Sequence, residues 1–164
     1  MPNVSGGWVY GSRTAFSGAS NLNSLSSGQA KPLGVVTTPT PPPSTNCIGF
    51  LIDISVTPNS AGTSSTGTLT LYLIQSMDGG TYYTDRIDPA GTSDVASSIK
   101  NAKLIKAMAV NANSGTIPVF QDDCFLPVVV PAPKWSLIAL NGSGAALASS
   151  GHSVNYTPVY TQVG

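Results

Sequence analysis

Ile48-Gly49-Phe50-Leu51-Ile52-Asp53-Ile54-Ser55-Val56-Thr57 decides the fold class. Ile48, Phe50, Ile52, Ile54 and Val56 take alternate positions, with Gly49, Asp53, Ser55 and Thr57 between them, and only Leu51 breaks the pattern. Successive side chains of an extended chain point to opposite faces. The alternation therefore predicts a strand with one face in a core and the other toward solvent. Pro58-Asn59-Ser60-Ala61-Gly62 ends it, and Thr63 to Gly67 prolong a polar loop.

Further along, Thr68–Gln75 places Leu69, Leu71 and Leu73 on one strand face. Asp78-Gly79-Gly80 reads as a hairpin turn into a strand at Thr81–Thr84, because glycine accepts positive φ at little steric cost. Residues 88–101 read as loop, with a single helical turn near Val95–Ile99. Leu104, Ile105 and Met108 fit a helical stripe or a strand over Ala102–Val110, and the turn Asn111–Gly115 favours the strand. Ile117–Phe120 and Phe125–Val130 follow, the latter flanked by Pro127, Pro131 and Pro133 in the manner of an edge strand. Trp135–Leu140 and Val154–Val163 complete the set. With no sustained helical period, the expectation is all-β: an antiparallel β-sandwich of jelly-roll type over residues 47–164.

Residues 1–46 are unlike this body. They are rich in Ser, Thr, Gly and Pro, carry isolated aromatics at Trp8, Tyr10 and Phe16, and end in Pro39-Thr40-Pro41-Pro42-Pro43. Such a proline run prefers the extended polyproline conformation and acts as a semi-rigid spacer. The composition alone suits a disordered tail, whereas three large aromatics suit an extended arm ordered against a partner or a neighbouring subunit. The arm is expected at 1–46 and the sandwich at 47–164, so deleting 1–46 should leave the sandwich folded.

Only 9% of residues are charged, against about 25% in an average soluble domain. All seven acids are Asp, and the net charge is zero. Such a surface repels its own copies weakly and tolerates close packing against neighbours. Basic residues are scattered apart from Lys100, Lys103 and Lys106, which argues against nucleic acid as a partner. No apolar run approaches ~20 residues, so no membrane-spanning helix is expected. Met1–Gly7 lacks the basic start and apolar core of a signal peptide, which leads us to expect a cytosolic product. In that setting Cys47 and Cys124 are expected to be reduced, buried hydrophobes rather than a disulfide.

Candidate chemistry is sparse. Asp78, Asp85 and Asp88 surround the Gly79-Gly80 turn and suit a glycosidase pair or a calcium ion, but Asp also initiates turns and pairs with Arg86. The turn interpretation is preferred, as it is for Asp122-Asp123. His152 sits in a polar Ser/Gly turn without a nucleophile elbow and reads as a surface residue. No catalytic, cofactor-binding or metal-ligating residue is assigned. Tyr72, Tyr82, Tyr83 and Trp135 are candidate sugar-stacking platforms, with Tyr72 facing outward if its leucine neighbours face the core.

Trp135-Ser136-Leu137-Ile138-Ala139-Leu140-Asn141-Gly142-Ser143-Gly144-Ala145-Ala146-Leu147, followed by Gly151-His152-Ser153-Val154-Asn155-Tyr156, resembles the closing strands of tailed-bacteriophage virion structural proteins of the head decoration or cement type. Asp78-Gly79-Gly80-Thr81-Tyr82-Tyr83 is similar to their hairpins. The likeness covers residues 47–164 and transfers no functional residue. It implies a non-enzymatic protein of the virion, made in the host cytoplasm, that self-associates, with a trimer as one option. A partner of that kind would be the major capsid protein or other virion subunits, and the contacts expected from the residues themselves are the arm aromatics Trp8, Tyr10 and Phe16 with Tyr72 and Tyr82. Two further possibilities stand beside it: a carbohydrate- or receptor-binding module of a neck, tail or fibre, and an enzyme using Asp85 and Asp88.

Overall fold

The computed structural model describes residues 7–59, 67–76, 78–110, 120–127 and 133–162. Two antiparallel sheets pack face to face. The first contains β1 (Trp8–Tyr10), β2 (Thr14–Ala15), β5 (Thr45–Val56), β8 (Phe120–Pro127) and β10 (Ser153–Gln162). The second contains β3 (Ala30–Pro32), β4 (Val36–Thr37), β6 (Thr68–Ser76), β7 (Lys103–Ala109) and β9 (Lys134–Gly142). The orders are β1-β10-β5-β8, with β2 also on β10, and β3-β9-β6-β7, with β4 also on β9.

The pairing is nested. β1 lies on β10, β3 and β4 on β9, β5 on β8, and β6 on β7, as in one long hairpin. That hairpin is rolled so that β5 also meets β10 and β6 also meets β9. This order is a jelly roll, and it requires the first strands as much as the last.

The expected boundary between residues 46 and 47 is therefore corrected. The opening segment is not an arm beside the sandwich but the first two strand positions of the roll. Its backbone adds to the outer sides of β9 and β10, and Phe16, Leu22, Leu25, Leu33 and Val36 are buried in the common core. Its strands are two or three residues long, too short to show period 2. The spacer at Pro39–Pro43 remains a connection without strand structure, carrying the chain from β4 in the second sheet to β5 in the first.

The long alternation of β5 has the expected effect. Phe50, Ile52, Ile54 and Val56 enter the core opposite Leu69, Leu71 and Leu73 of β6 and Leu137 of β9. Four rings close one end: Trp135 lies 4.7 Å from Phe50, 5.7 Å from Phe16 and 5.8 Å from Tyr156 between centroids. Among the described residues, the Trp135 indole N–H is a buried donor with no hydrogen-bond partner.

The expected Ala102–Val110 segment forms a strand over Lys103–Ala109, and Ala96–Ser98 is a single 3-10 turn, both as expected in type. β8 is a sheet edge, although residues 111–119 and 128–132, which include part of the expected Ile117–Phe120 and Phe125–Val130 strands, lie outside the described residues. The expected 68–75/81–84 hairpin is absent: β6 pairs with β7 and β9 instead. The Asp78 carboxylate accepts the N–H groups of Gly80, Thr81 and Tyr82 and the Ser76 hydroxyl, which removes the donors a ladder would need. Tyr83 then turns inward beside Ile74, Ile87 and Ile138.

This second cluster lies on the far side of the second sheet, under the segment carrying Tyr83, Ile87, Val95 and Ile99. Strand β9 anticipates it. Trp135, Leu137 and Ala139 face the main core, and Ile138 and Leu140 face the other way, so the strand is apolar on both sides. No helix among the described residues is long and apolar enough to cross a membrane.

Candidate interaction surface

The two sheets differ in what covers them. The second carries an apolar cluster on its outer side and leaves Leu104 of its edge strand β7 exposed, whereas the outer side of the first lies bare among the described residues. Strand alternation places Gly49, Leu51, Asp53 and Ser55 of β5 on that bare side, beside Phe125, Asp123 and Gln121 of β8. β1 adds Trp8 and Tyr10, which are 59% and 57% exposed.

The bare face has an apolar half and a polar half. In the apolar half Leu51 stands opposite Phe125, and the Phe125 ring folds over Gly49 toward Trp8. The Trp8 and Phe125 centroids are 6.3 Å apart, their planes tilted by 37°. Gly49 is required there, because a Cβ would strike the Phe125 ring and stand 2.5 Å from the Leu126 carbonyl oxygen.

In the polar half Arg13 donates to Asp53 through Nε at 3.0 Å and through Nη2, and Asn155 Nδ2 donates to the same carboxylate at 2.9 Å. Hydrogen bonding from Arg13 holds the Asp53 carboxyl below its ordinary range against the opposing effect of burial. Asp123 lies directly opposite Asp53 in the register. Arg13, Asp53 and Asp123 line an open depression of about 490 Å³ with Gln121 and Ser153.

The five candidate contact residues separate. Trp8 and Tyr10 belong to the bare face. Phe16 is 3% exposed and part of the core, so it is withdrawn as an anchor. Tyr72 does point away from the main core, but it is half-buried against the second cluster, as Val95 and Ile99 are. Tyr82 is 66% exposed and lies elsewhere, above the 80–90 loop. The expected platforms Trp135 and Tyr83 are buried and present no face. Sequence reasoning missed Phe125, whose signal was Leu51: the one break in the alternation of β5 is its cross-strand partner.

The acids act as structural acceptors. Asp85 receives the backbone N–H groups of Lys100, Asn101 and Ala102 at 2.8–3.1 Å and the Asn101 side-chain amide at 2.7 Å. Burial pushes its carboxyl up, and those hydrogen bonds together outweigh burial and hold it low. Asp94 receives the N–H groups of Ala30 and Ala96, tying the loop to β3. Asp88 receives the Ala90 N–H, and Asp122 pairs with Lys106 at 2.9 Å between the edges of the two sheets.

His152, expected at the surface, is half-buried as a bridge: Nδ1 accepts the Thr57 N–H at 3.3 Å and Nε2 donates to the Ala148 carbonyl at 2.9 Å. Cys47 and Cys124 are unpaired and half-buried. Cys124 lies opposite Ile52, five residues along β5 from Cys47, or roughly 17 Å at strand rise, far beyond disulfide reach. Among the described residues no group of three His, Cys, Asp or Glu side chains is placed to hold a metal ion.

The sequence matches no known family model and no curated protein.

Proposed function

We propose that the chain is a non-enzymatic virion structural protein of the head decoration type, which docks on capsid subunits through the bare face of its first sheet. The observation that carries the proposal is the Trp8–Phe125 pair, exposed with Tyr10 beside a half-buried Leu51 on a face that no described element covers. Aromatic groups within a polar surround are the usual composition of an interface centre and rim. Arg13, Asp53, Asp123 and Gln121 supply that rim. The zero net charge and the resemblance in the closing strands support a capsid partner and self-association.

The mode of attachment differs from an arm laid across a neighbour. The described part of the opening segment is committed to its own fold, and Trp8, Tyr10 and Arg13 are what it presents on the docking face. The acids that would serve a glycosidase are committed as well. Asp85 holds the 100–102 segment and Asp88 caps a turn, which supports a binding rather than a catalytic role.

The test is occupancy on head particles, measured by particle mass, for wild type and the Trp8→Ala/Phe125→Ala double variant. Native mass spectrometry of each free protein reports self-association. Loss of at least about tenfold in occupancy with unchanged thermal stability is expected, since exposed aromatic anchors act in binding more than in folding. Equal occupancy of the two proteins overturns the proposal.

A further inference from the structure

Tyr82 stands over an open cleft of about 480 Å³ on the opposite side of the molecule from the docking face. Buried Tyr83, Ile87 and Pro89 form its floor, and Tyr82, Arg86, Asp88 and Lys134 rise around it. The volume is within the range of small-ligand sites, roughly 300–1,000 Å³.

The cleft is held in shape at a cost. Asp85 and Arg86 are consecutive non-glycine residues at φ 59 and 55, a left-handed conformation worth about 1–2 kcal/mol of strain per residue. The four N–H donors on the Asp85 carboxylate lock that bend against the 100–102 segment. The bend places Arg86 on the cleft wall, and strained backbone of this kind concentrates at ligand sites.

The cations are unspent. Among the described residues neither Arg86 nor Lys134 makes an ion pair, although Asp88 shares the same wall. Lys134 lies across Gly80, where a Cβ would stand 2.7 Å from its Cδ and 3.1 Å from its Nζ. Gly80 itself has φ 111, so the position admits no side chain without strain. A second depression of about 370 Å³ shares Val35, Pro89 and Ala90 with the first and is lined by Ser17, Ser20 and Thr92.

We propose that this double cleft binds a short acidic saccharide. The exposed Tyr82 ring offers an apolar plane for the C–H face of a sugar ring. The Arg86 fork takes the sugar carboxylate in a bidentate pair, and Lys134 adds a second positive charge. Asp88 accepts ring hydroxyls, and the serine and threonine hydroxyls of the second depression meet the next ring. A carboxylate suits the site better than a phosphate, because Asp88 opposes a more highly charged anion and a phosphate has no use for the Tyr82 plane.

Isothermal titration calorimetry on the full chain tests this with trigalacturonate, sialyllactose, fully methyl-esterified trigalacturonate and inorganic phosphate. At least one of the two acidic sugars is expected to bind. For trigalacturonate, the ester removes the charge and keeps the rings, so it should bind about tenfold more weakly or not at all. Arg86→Ala and Tyr82→Ala should each weaken binding at least about tenfold with unchanged melting temperature, while Lys103→Ala, outside the cleft, changes nothing. Absence of heat with both acidic sugars, equal binding of acid and ester, or phosphate binding as tightly as the sugars each overturn the proposal. The docking face uses none of these side chains, so either proposal can fail without the other.

Discussion

The Phe16 ring meets Trp135 edge to face, 5.7 Å between centroids, so a residue of the opening segment and one of the penultimate sequence strand close the same core. Phe16→Ala should therefore cost about 3–5 kcal/mol, the usual range for a buried phenylalanine. Deletion of residues 1–46 should leave no cooperative melting transition, because it strips Leu22, Leu25, Leu33 and Val36 from the core together with Phe16. Differential scanning calorimetry measures both. A 47–164 fragment that melted as sharply as the full chain would refute this account of the fold.

Acid should loosen the 78–102 region. Hydrogen bonds hold the carboxyls of Asp78, Asp85 and Asp94 below their ordinary range. A carboxyl with a depressed folded pKa adds stability above its unfolded pKa, near 3.9, and loses it as pH falls through the folded value. Stability should be flat from neutral pH to about 5 and then decline, with the amides of Thr81, Tyr82, Asn101 and Ala102 losing exchange protection early. Hydrogen exchange corrected for intrinsic rates checks the order. Asp85→Asn should bring the loosening of Asn101 and Ala102 alone at pH 7, leaving Thr81 and Tyr82 protected.

Asp53 and Asp123 face each other across β5 and β8, and of the two carboxylates only that of Asp53 is hydrogen-bonded among the described residues, by Arg13 and Asn155. Like charges in direct cross-strand register are destabilising. Asp123→Asn should raise stability by up to about 0.5 kcal/mol, while Asp53→Asn lowers it, because Arg13 and Asn155 lose a charged acceptor. Urea denaturation of the two variants separates the cases.

Gly49→Ala should cost about 1–3 kcal/mol, as overpacking does, and push Phe125 away from Trp8. The Trp8 environment should change while buried Trp135 stays as it was. Fluorescence of Gly49→Ala in a Trp135→Phe background reads Trp8 alone.

The sequence displayed the body of the fold because long strands carry long patterns. Twelve residues of β5 leave the period of two in view, and the uninterrupted apolar run of β9 reports burial on both sides. The opening segment was misread for the opposite reason. Strands of two and three residues have no period to detect, and their partners, β9 and β10, lie about a hundred residues away or more. Asp78-Gly79-Gly80 was correctly seen as a turn, but not as one whose carboxylate captures the following N–H groups. As for the surface, Trp8, Tyr10 and Tyr82 were visible as isolated aromatics, whereas no local sequence signal links Trp8 to Phe125 or sets Arg86 beside Lys134.

Since β10 is inserted between β1 and β5, the aromatic pair spanning β1 and β8 cannot come together until the chain has been translated through residue 162. Nested pairing of this kind also folds slowly, on the scale of milliseconds to seconds. Before that point Trp8 and Phe125 lie on separate stretches of the polypeptide, and the core side chains of the open roll are exposed as well. The pairing of β10 with both β1 and β5 thus sets the moment at which this outer aromatic pair forms.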